Sequence, residues 1–190
     1  MKPDKIEYSE SSEFFENSEN SENSIVENSP KKRKNSRAKG QTGERQVAKY
    51  FVAAMAKVED DLLADLPLRQ QEKVVCYSEE VKRNTLQSDR GGYDLVGCPL
   101  IAPEIKFCDT LLLDTWWVQT KRQAKHGLMP ILIYRKTRAR SWRCRTYLSL
   151  QFPEYQLGRW TVADIEFQEF LAFYQSMYRA YLVTSLSPQV

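Results

Sequence analysis

Two glutamate-x-lysine triplets are the residues of this chain whose types and spacing most clearly permit chemistry. One occupies residues 80–82 (Glu-Val-Lys) and the other residues 104–106 (Glu-Ile-Lys). Because 28% of the residues are charged, such triplets arise by chance, and only their surroundings distinguish them. The first lies in a polar run, which predicts a solvated loop. The second interrupts the apolar run of residues 100–107, which predicts a strand.

The second triplet places two charges on one face of its strand. Side chains alternate along a strand, so Glu104 and Lys106 share a face and Ile105 points to the other. Such charges are costly to bury unless they are paired or bind a metal. Asp94 lies in the preceding predicted strand, and a turn at residues 98–99 lets the two strands run side by side. Two neighbouring carboxylates repel each other, and a divalent cation relieves that repulsion.

The residue types suit Mg²⁺, which prefers oxygen ligands and keeps water molecules for chemistry. Asp94 and Glu104 would be its ligands, and the carbonyl of Ile105 would add a third. Lys106 would orient or activate an attacking water and neutralise charge developing on a phosphate. A buried ion pair between Lys106 and one of the two carboxylates is the alternative without a metal.

Apolar spacing predicts the elements that position these residues. Helices are expected at residues 42–55, 60–66, 114–126 and 162–182, and strands at residues 73–77, 93–97, 100–107, 129–136 and 142–150. Thr42 and Asp114 are expected to cap their helices. The aromatic stripe of the last helix is interpreted as core, with a dimer surface as the alternative. This order indicates an α/β fold, with helices around a short mixed sheet.

The segments around the second triplet also resemble a known family. Tyr-Asp-Leu-Val-Gly at 93–97, followed by Pro-Glu-Ile-Lys at 103–106, is similar to the PD-(D/E)XK signature of restriction-like nucleases and phage-type Holliday-junction resolvases. The resemblance covers about residues 39–150 and implies a restriction-endonuclease-like αβββαβ core, followed here by a C-terminal helix. One position departs from the signature, because Tyr93 stands where the family usually has proline.

The resemblance implies further site residues and an activity. Glu44 matches an acidic residue on the family's first helix and becomes an additional metal or water-positioning group. Gln119, in Trp-Trp-Val-Gln at 116–119, matches a glutamine near the active site.

The implied activity is metal-dependent cleavage of branched DNA, such as a four-way junction, in recombination or repair. Mg²⁺ or Mn²⁺ would be the cofactor. A homodimer is plausible because a junction needs two cuts. Two alternatives stay open: a restriction-like or degradative nuclease for linear or single-stranded DNA, and an inactive nucleic-acid-binding module.

A dense basic cluster favours a nucleic-acid partner. Its members are Arg135, Lys136, Arg138, Arg140, Trp142, Arg143 and Arg145. Positive charge at this density follows phosphates, and Trp142 is expected to stack on a base or sugar. Nothing in the cluster indicates readout of base edges, so recognition of phosphate and shape is expected. The alternative is a solvated hairpin.

Composition places these features in one domain with a tail. The chain has 190 residues, 42% of them hydrophobic, and a net charge of +3. Residues 1–36 repeat Glu-Asn-Ser and end in a basic cluster, which predicts a disordered tail: a solvated segment, a DNA-binding arm or a nuclear address. Residues 37–190 form the expected domain.

The four cysteines lack the paired spacing of a zinc site and are expected to be small core residues. His126 is expected at the surface. No apolar run is long enough to span a membrane, so we expect a soluble, intracellular protein of the cytoplasm or nucleoid.

Overall fold

The structure is a computed structural model, and it describes residues 36–85, 92–124, 127–152 and 157–186. All of these residues belong to one unit, Lys34–Val190. Residues 1–35 and His126 lie outside the described residues, so the interpretations of the tail and of the histidine remain predictions. No helix in the described ranges is both long enough and apolar enough to cross a membrane.

Helices and strands alternate along the described chain. In order they are α1 (Ser36–Asp65), α2 (Leu68–Gln71), a short 3-10 helix (Ser78–Glu80), β1 (Lys82–Arg83), β2 (Leu95–Val96), β3 (Ile101–Cys108), α3 (Leu113–Gln123), β4 (Met129–Lys136), β5 (Arg143–Phe152), β6 (Leu157–Glu166) and α4 (Phe167–Leu186).

The main sheet has four strands in the order β3-β4-β5-β6. Strands β3 and β4 are parallel, with Glu104 opposite Leu132, and the other two pairings are antiparallel. Strands β1 and β2 form a separate antiparallel pair. The protein is therefore a mixed α/β structure with a mixed sheet. The strand that carries the triplet at 104–106 lies at the edge of the main sheet, beside the Asp94 segment.

Helices cover both faces of this sheet. On one face, Ile105 and Ile133 pack in the same core as α1 and α4. On the other face, Leu132 and Tyr134 pack with Trp117 of α3. The register puts Glu104 on the α3 side, because it lies opposite Leu132. Burial on both faces explains why β3 and β4 are continuous apolar runs rather than alternating ones.

The aromatic stripe of α4 is core, as predicted. The rings of Phe170, Tyr174 and Tyr178 are fully buried and stack along the helix with centroids 6.2 and 6.0 Å apart. Phe173 is the exception and is exposed. Interior aromatic rings at this spacing bury a large apolar area, which fixes α4 against α1.

Helix α1 is longer than predicted at both ends. Thr42 is not its cap, because the helix begins at Ser36 and the Thr42 hydroxyl donates to the carbonyl of Ala38 at 2.9 Å, one turn earlier. The predicted second helix, up to residue 65, is the end of α1. A Cβ on Gly43 would lie 2.9 Å from the Cβ of Phe107. This glycine therefore serves close packing on β3 rather than a helix boundary.

The predicted strand at residues 73–77 is wrong. This segment is irregular, and the first strand is β1 at Lys82–Arg83. Without a partner strand, Cys76 has no core face to occupy and is exposed. Cys108 is partly exposed for another reason, since it ends β3, whereas Cys98 and Cys144 are buried as predicted.

The C-terminal third contains a strand that the spacing did not predict. Residues 157–166 form β6, which pairs with β5 from Arg143↔Glu166 to Phe152↔Leu157, so α4 begins at Phe167 and not at residue 162. Cross-strand pairing here overrides the local helical spacing. Asp114 is not a helix cap either: the N-cap of α3 is Leu112, and the Asp114 carboxylate accepts a hydrogen bond from Arg145 at 2.8 Å.

Candidate active site

An open cleft of about 850 Å³ lies where the start of α1, the segment around Asp94, β3 and α3 meet. The carboxylates and polar side chains predicted from sequence line it together: Glu44, Asp94, Glu104, Lys106 and Gln119. Residues up to 75 positions apart in the chain are thus brought to one cleft. Its wall also includes Ile105.

Glu104 is the most deeply buried charged residue of the cleft, with 1% of its surface exposed. Its Oε1 accepts hydrogen bonds from Lys106 Nζ at 2.5 Å and from Gln119 Nε2 at 2.9 Å. Its Oε2 is also buried but has no hydrogen-bond partner among the described residues. A buried acceptor without a partner is costly, so this oxygen is poised to receive a ligand.

Asp94 is bound to the free edge of β3. Its N–H donates to the carbonyl of Pro103 at 2.8 Å, and its Oδ2 accepts the N–H of Ile105 at 2.6 Å. The carboxylate is 5% exposed. Since the N–H and C=O of one strand residue point to the same side, the Ile105 carbonyl also faces the Asp94 side of β3.

The two carboxylates destabilise each other's charge. Burial, and next the negative charge of Asp94, raise the pKa of Glu104 from 4.5 to about 7, with Lys106 opposing the change and Glu44 adding a smaller increase. Desolvation and like charge both disfavour an ionised carboxylate. A cation next to Glu104 would reverse both effects.

The donor set fits a hard divalent cation such as Mg²⁺ or Mn²⁺. Asp94, Glu104 and the Ile105 carbonyl offer only oxygen atoms, and Glu104 Oε2 lacks a partner in the described structure. Within that part of the chain, no group of three or more acidic, histidine or cysteine side chains converges on one point. Two carboxylates would therefore be completed by the carbonyl and by water, as is common for Mg²⁺.

Glu44 lines the cleft, and its role as a further metal or water-positioning group stays a prediction. Its Oε2 accepts a hydrogen bond from Arg83 Nε at 2.5 Å, in a half-buried ion pair. Nothing in the sequence pattern predicted Arg83 in the cleft, because it follows the polar triplet at 80–82 and no motif includes it. Glu44 is thus placed in the cleft wall, with its charge neutralised.

The triplet at 80–82 is solvated, as predicted, but it is not a loop, because Glu80 ends the 3-10 helix and Lys82 begins β1. The side chains of Glu80 and Lys82 are 65% and 69% exposed and their charged atoms lie 3.8 Å apart. The two triplets have the same pattern but opposite environments, which makes the exposed one a natural control for the buried one.

The cleft contains residues that the sequence did not predict, among them a glutamine of α3. Gln123 lines it together with Gln119, and its Oε1 is buried without a partner among the described atoms. The signal was available in principle, because residues four apart share a helix face.

Part of the predicted nucleic-acid cluster is buried. Trp142 is 5% exposed, and the guanidinium of Arg135 lies 4.6 Å from its ring centroid and 4.5 Å from that of Phe107. Arg135 also donates to Gln46 at 3.1 Å. The expected stacking of Trp142 on a base is therefore wrong, because its ring packs inside the protein. Arg135 is a structural cation between two rings.

Acidic residues of β6 neutralise two further members of the cluster. Arg145 is bonded to Asp164 at 2.8 Å as well as to Asp114, and Arg143 is paired with Glu166 at 2.7 Å. These ion pairs reduce the positive charge that Arg145, and in part Arg143, were predicted to offer to phosphates. The exposed cations that remain are Lys136, Arg138 and Arg140.

The geometry gathers Asp94, Glu104, Lys106 and Gln119 and separates them from most of the basic cluster. Comparison of the chain with protein-family models, with curated proteins and with solved structures gave no match. The resemblance to PD-(D/E)XK nucleases thus rests on the residues of this chain alone.

Proposed function

We propose that this protein is a metal-dependent endonuclease that hydrolyses phosphodiester bonds in DNA. The observation that carries the proposal is Glu104 Oε2, which is buried beside Asp94 and Lys106 in an open cleft and has no hydrogen-bond partner in the described part of the chain. Apart from α2 and the 3-10 helix, the order α1, β1, β2, β3, α3, β4 supports a restriction-endonuclease-like core, in which β1 and β2 pair separately from the main sheet. The site and the order of elements are independent observations that favour the same family.

The chain's own residues would divide the chemistry among them. Asp94, Glu104 and the Ile105 carbonyl would hold Mg²⁺ or Mn²⁺, which when bound supplies Lewis acidity and lowers the pKa of water. Lys106 Nζ would orient the attacking water and offset negative charge on the phosphate. Gln119 donates to Glu104 Oε1 and so helps to fix this carboxylate.

The substrate class rests on the resemblance and on charge. A branched DNA, such as a four-way junction, is the substrate that the resemblance implies, with a homodimer to make the paired cuts. Exposed Lys136, Arg138 and Arg140 support contact with phosphates. The open polar cleft gives access to a polymer backbone, and these features support linear DNA equally, so substrate choice must be measured.

A second candidate function, a nucleic-acid-binding module without activity, is favoured by the ion pairs of the cleft. Lys106 neutralises Glu104, and Arg83 neutralises Glu44, without any metal. Buried ion pairs of this kind are compatible with a purely structural role. The two candidates differ in whether divalent cations bind and whether DNA is cut.

The test is cleavage of end-labelled four-way junction, linear duplex and single-stranded DNA in Mg²⁺, Mn²⁺ or EDTA. Asp94→Asn keeps an acceptor for the Ile105 N–H but removes the charge, and Lys106→Ala removes the ammonium. Lys82→Ala, in the exposed triplet, is the matched control. We expect metal-dependent cutting by the wild type and by Lys82→Ala, and loss of cutting in the other two.

The opposite results are equally clear. Tight DNA binding by the wild type without cleavage in either metal would establish the binding module. Cutting by Lys106→Ala at the wild-type rate would remove Lys106 from the site.

A further inference from the structure

A second, smaller depression adjoins the cleft, and we name it the flank site. Its volume is about 690 Å³, and it is lined by Lys39, Asp109, Lys136, Thr137 and Arg138. Three of these side chains are cationic and one is anionic. Only Lys136 and Arg138 belong to the basic cluster recognised in the sequence.

The flank site continues directly from the candidate active site. Cys108 lines the cleft, and the next residue, Asp109, lines the flank site. Likewise Lys39 lies between Arg37 and Gly40 on α1, both of which line the cleft. A polymer leaving the cleft at the end of β3 therefore meets the flank site next.

Strand geometry sets the spacing between the two sites. Cys108 shares a face of β3 with Glu104 and Lys106, and it lies opposite Lys136. Two to four residues of strand span about 7–13 Å at about 3.3 Å per residue. Successive phosphates of a duplex strand are separated by rotation around the helix axis as well as by a rise of about 3.4 Å, so this distance spans few nucleotides.

The charges of the flank site suit a phosphate. Lys39 Nζ lies 3.1 Å from Asp109 Oδ2, in a largely exposed pair, so Lys136 and Arg138 provide an excess of positive charge. Exposed ion pairs are weak, and a phosphate can displace Asp109 from Lys39. Asp109 would thus weaken binding without preventing it.

We propose that the flank site binds a phosphate of the DNA strand about 7–13 Å from the bond that is cut. This inference rests on the proposed function for the position of the cut, although its electrostatics stand independently. We expect phosphate contacts from three cations, Lys39, Lys136 and Arg138, rather than from the whole basic cluster predicted from the sequence.

Binding measured in EDTA tests the site separately from catalysis. Fluorescently labelled duplex and four-way junction are titrated at several salt concentrations with the wild type and with the double variant Lys136→Ala/Arg138→Ala. Affinity falls as salt rises, and each lost phosphate contact reduces the steepness of log affinity against log salt concentration by about 0.9. We expect the slope to fall by about 1–2 with weaker binding.

Two further variants sharpen the result. Lys49→Ala/Lys57→Ala removes the same charge from exposed positions of α1 and should leave the slope unchanged. Asp109→Asn removes the competing carboxylate and should strengthen binding. A neutral methylphosphonate, placed at successive backbone positions, should weaken binding most where the phosphate lies about 7–13 Å from the cut, and only when Lys136 and Arg138 are present.

The outcomes separate this inference from the proposed function. If the wild type cuts DNA but the Lys136→Ala/Arg138→Ala variant binds with an unchanged slope, the flank site is wrong and the nuclease stands. If the slope falls as expected but no DNA is cut, the site stands as a phosphate-binding site and the nuclease is wrong. Weaker binding by Asp109→Asn would also overturn the inference.

Discussion

Replacement of Glu104 by glutamine removes one buried charge while keeping its shape. A glutamine oxygen can still accept the hydrogen bonds that Glu104 Oε1 takes from Lys106 and Gln119. What disappears is the repulsion from Asp94 and the cost of burying the charge. In the absence of metal, we therefore expect Glu104→Gln to be more stable than the wild type at neutral and alkaline pH.

The magnitude follows from the raised pKa of Glu104. A change from 4.5 to about 7 corresponds to about 3 kcal/mol, at about 1.4 kcal/mol for each tenfold change in acidity. The attraction to Lys106 is already included in this pKa. The value is an upper one because glutamine places an N–H group where the buried Glu104 Oε2 has no partner among the described residues, and an unpaired buried donor is costly. A gain of about 1–3 kcal/mol raises the Tm of a domain this size by about 2–12 °C.

The difference in stability between Glu104→Gln and the wild type depends on pH. The folded state holds the Glu104 proton more tightly than the unfolded chain, so this group stabilises the protein below about pH 4.5 and loses that contribution as pH rises to about 7. The Tm difference between Glu104→Gln and the wild type should be small near pH 5 and reach its maximum above pH 7.

Thermal unfolding of both proteins from pH 5 to 8, in EDTA and then in Mg²⁺, measures these effects. Saturating Mg²⁺ should stabilise the wild type, by about 2.7 kcal/mol at 100 times its Kd, and stabilise the variant much less. Glu80→Gln, in the exposed triplet, is the control and should behave as the wild type. The reasoning is refuted if Glu104→Gln is less stable than the wild type at pH 8 in EDTA, or if Mg²⁺ stabilises both proteins equally.

Two other variants test the surroundings of the site. Gly43→Ala should lower the free energy of unfolding in denaturant by about 1–3 kcal/mol, because the new Cβ would lie 2.9 Å from Phe107 Cβ. Gly40→Ala is the control and should lower it far less, because its nearest neighbour would lie 3.8 Å away. Equal losses in the two variants would contradict the packing argument. Arg83→Ala frees the charge of Glu44, so calorimetric titration should show tighter Mg²⁺ binding than in the wild type, and unchanged or weaker binding would mean that Glu44 does not act on the metal site.

The sequence was sufficient for the parts of the fold that local pattern determines. Strand β4 has the predicted bounds, Met129–Lys136, and β3 differs by one residue at each end. Both are apolar runs bounded by polar or turn residues, so the neighbouring residues alone indicate where each strand begins and ends. The convergence of Asp94 with Glu104 followed from the short connection between their segments, and the distinction between the two triplets followed from their neighbours.

Long-range pairing determined what the sequence did not reveal. Strand β6 forms because β5 is available to pair with it, and its Asp164 and Glu166 neutralise Arg145 and Arg143. The burial of Trp142 depends on the approach of α1. The sequence of the basic segment alone therefore overestimates its unpaired positive charge. Arg83 was not predicted for the same reason, because its contact is with Glu44, which lies 39 positions earlier in the chain.

The most direct test of the account is the rate of cutting of a labelled four-way DNA junction in Mg²⁺ by the wild type, Lys106→Ala and Lys82→Ala. We expect cutting by the wild type and Lys82→Ala, none in EDTA, and none by Lys106→Ala. The proposed nuclease activity would be contradicted if the wild type left junction, duplex and single strand all intact, or if Lys106→Ala cut as fast as Lys82→Ala.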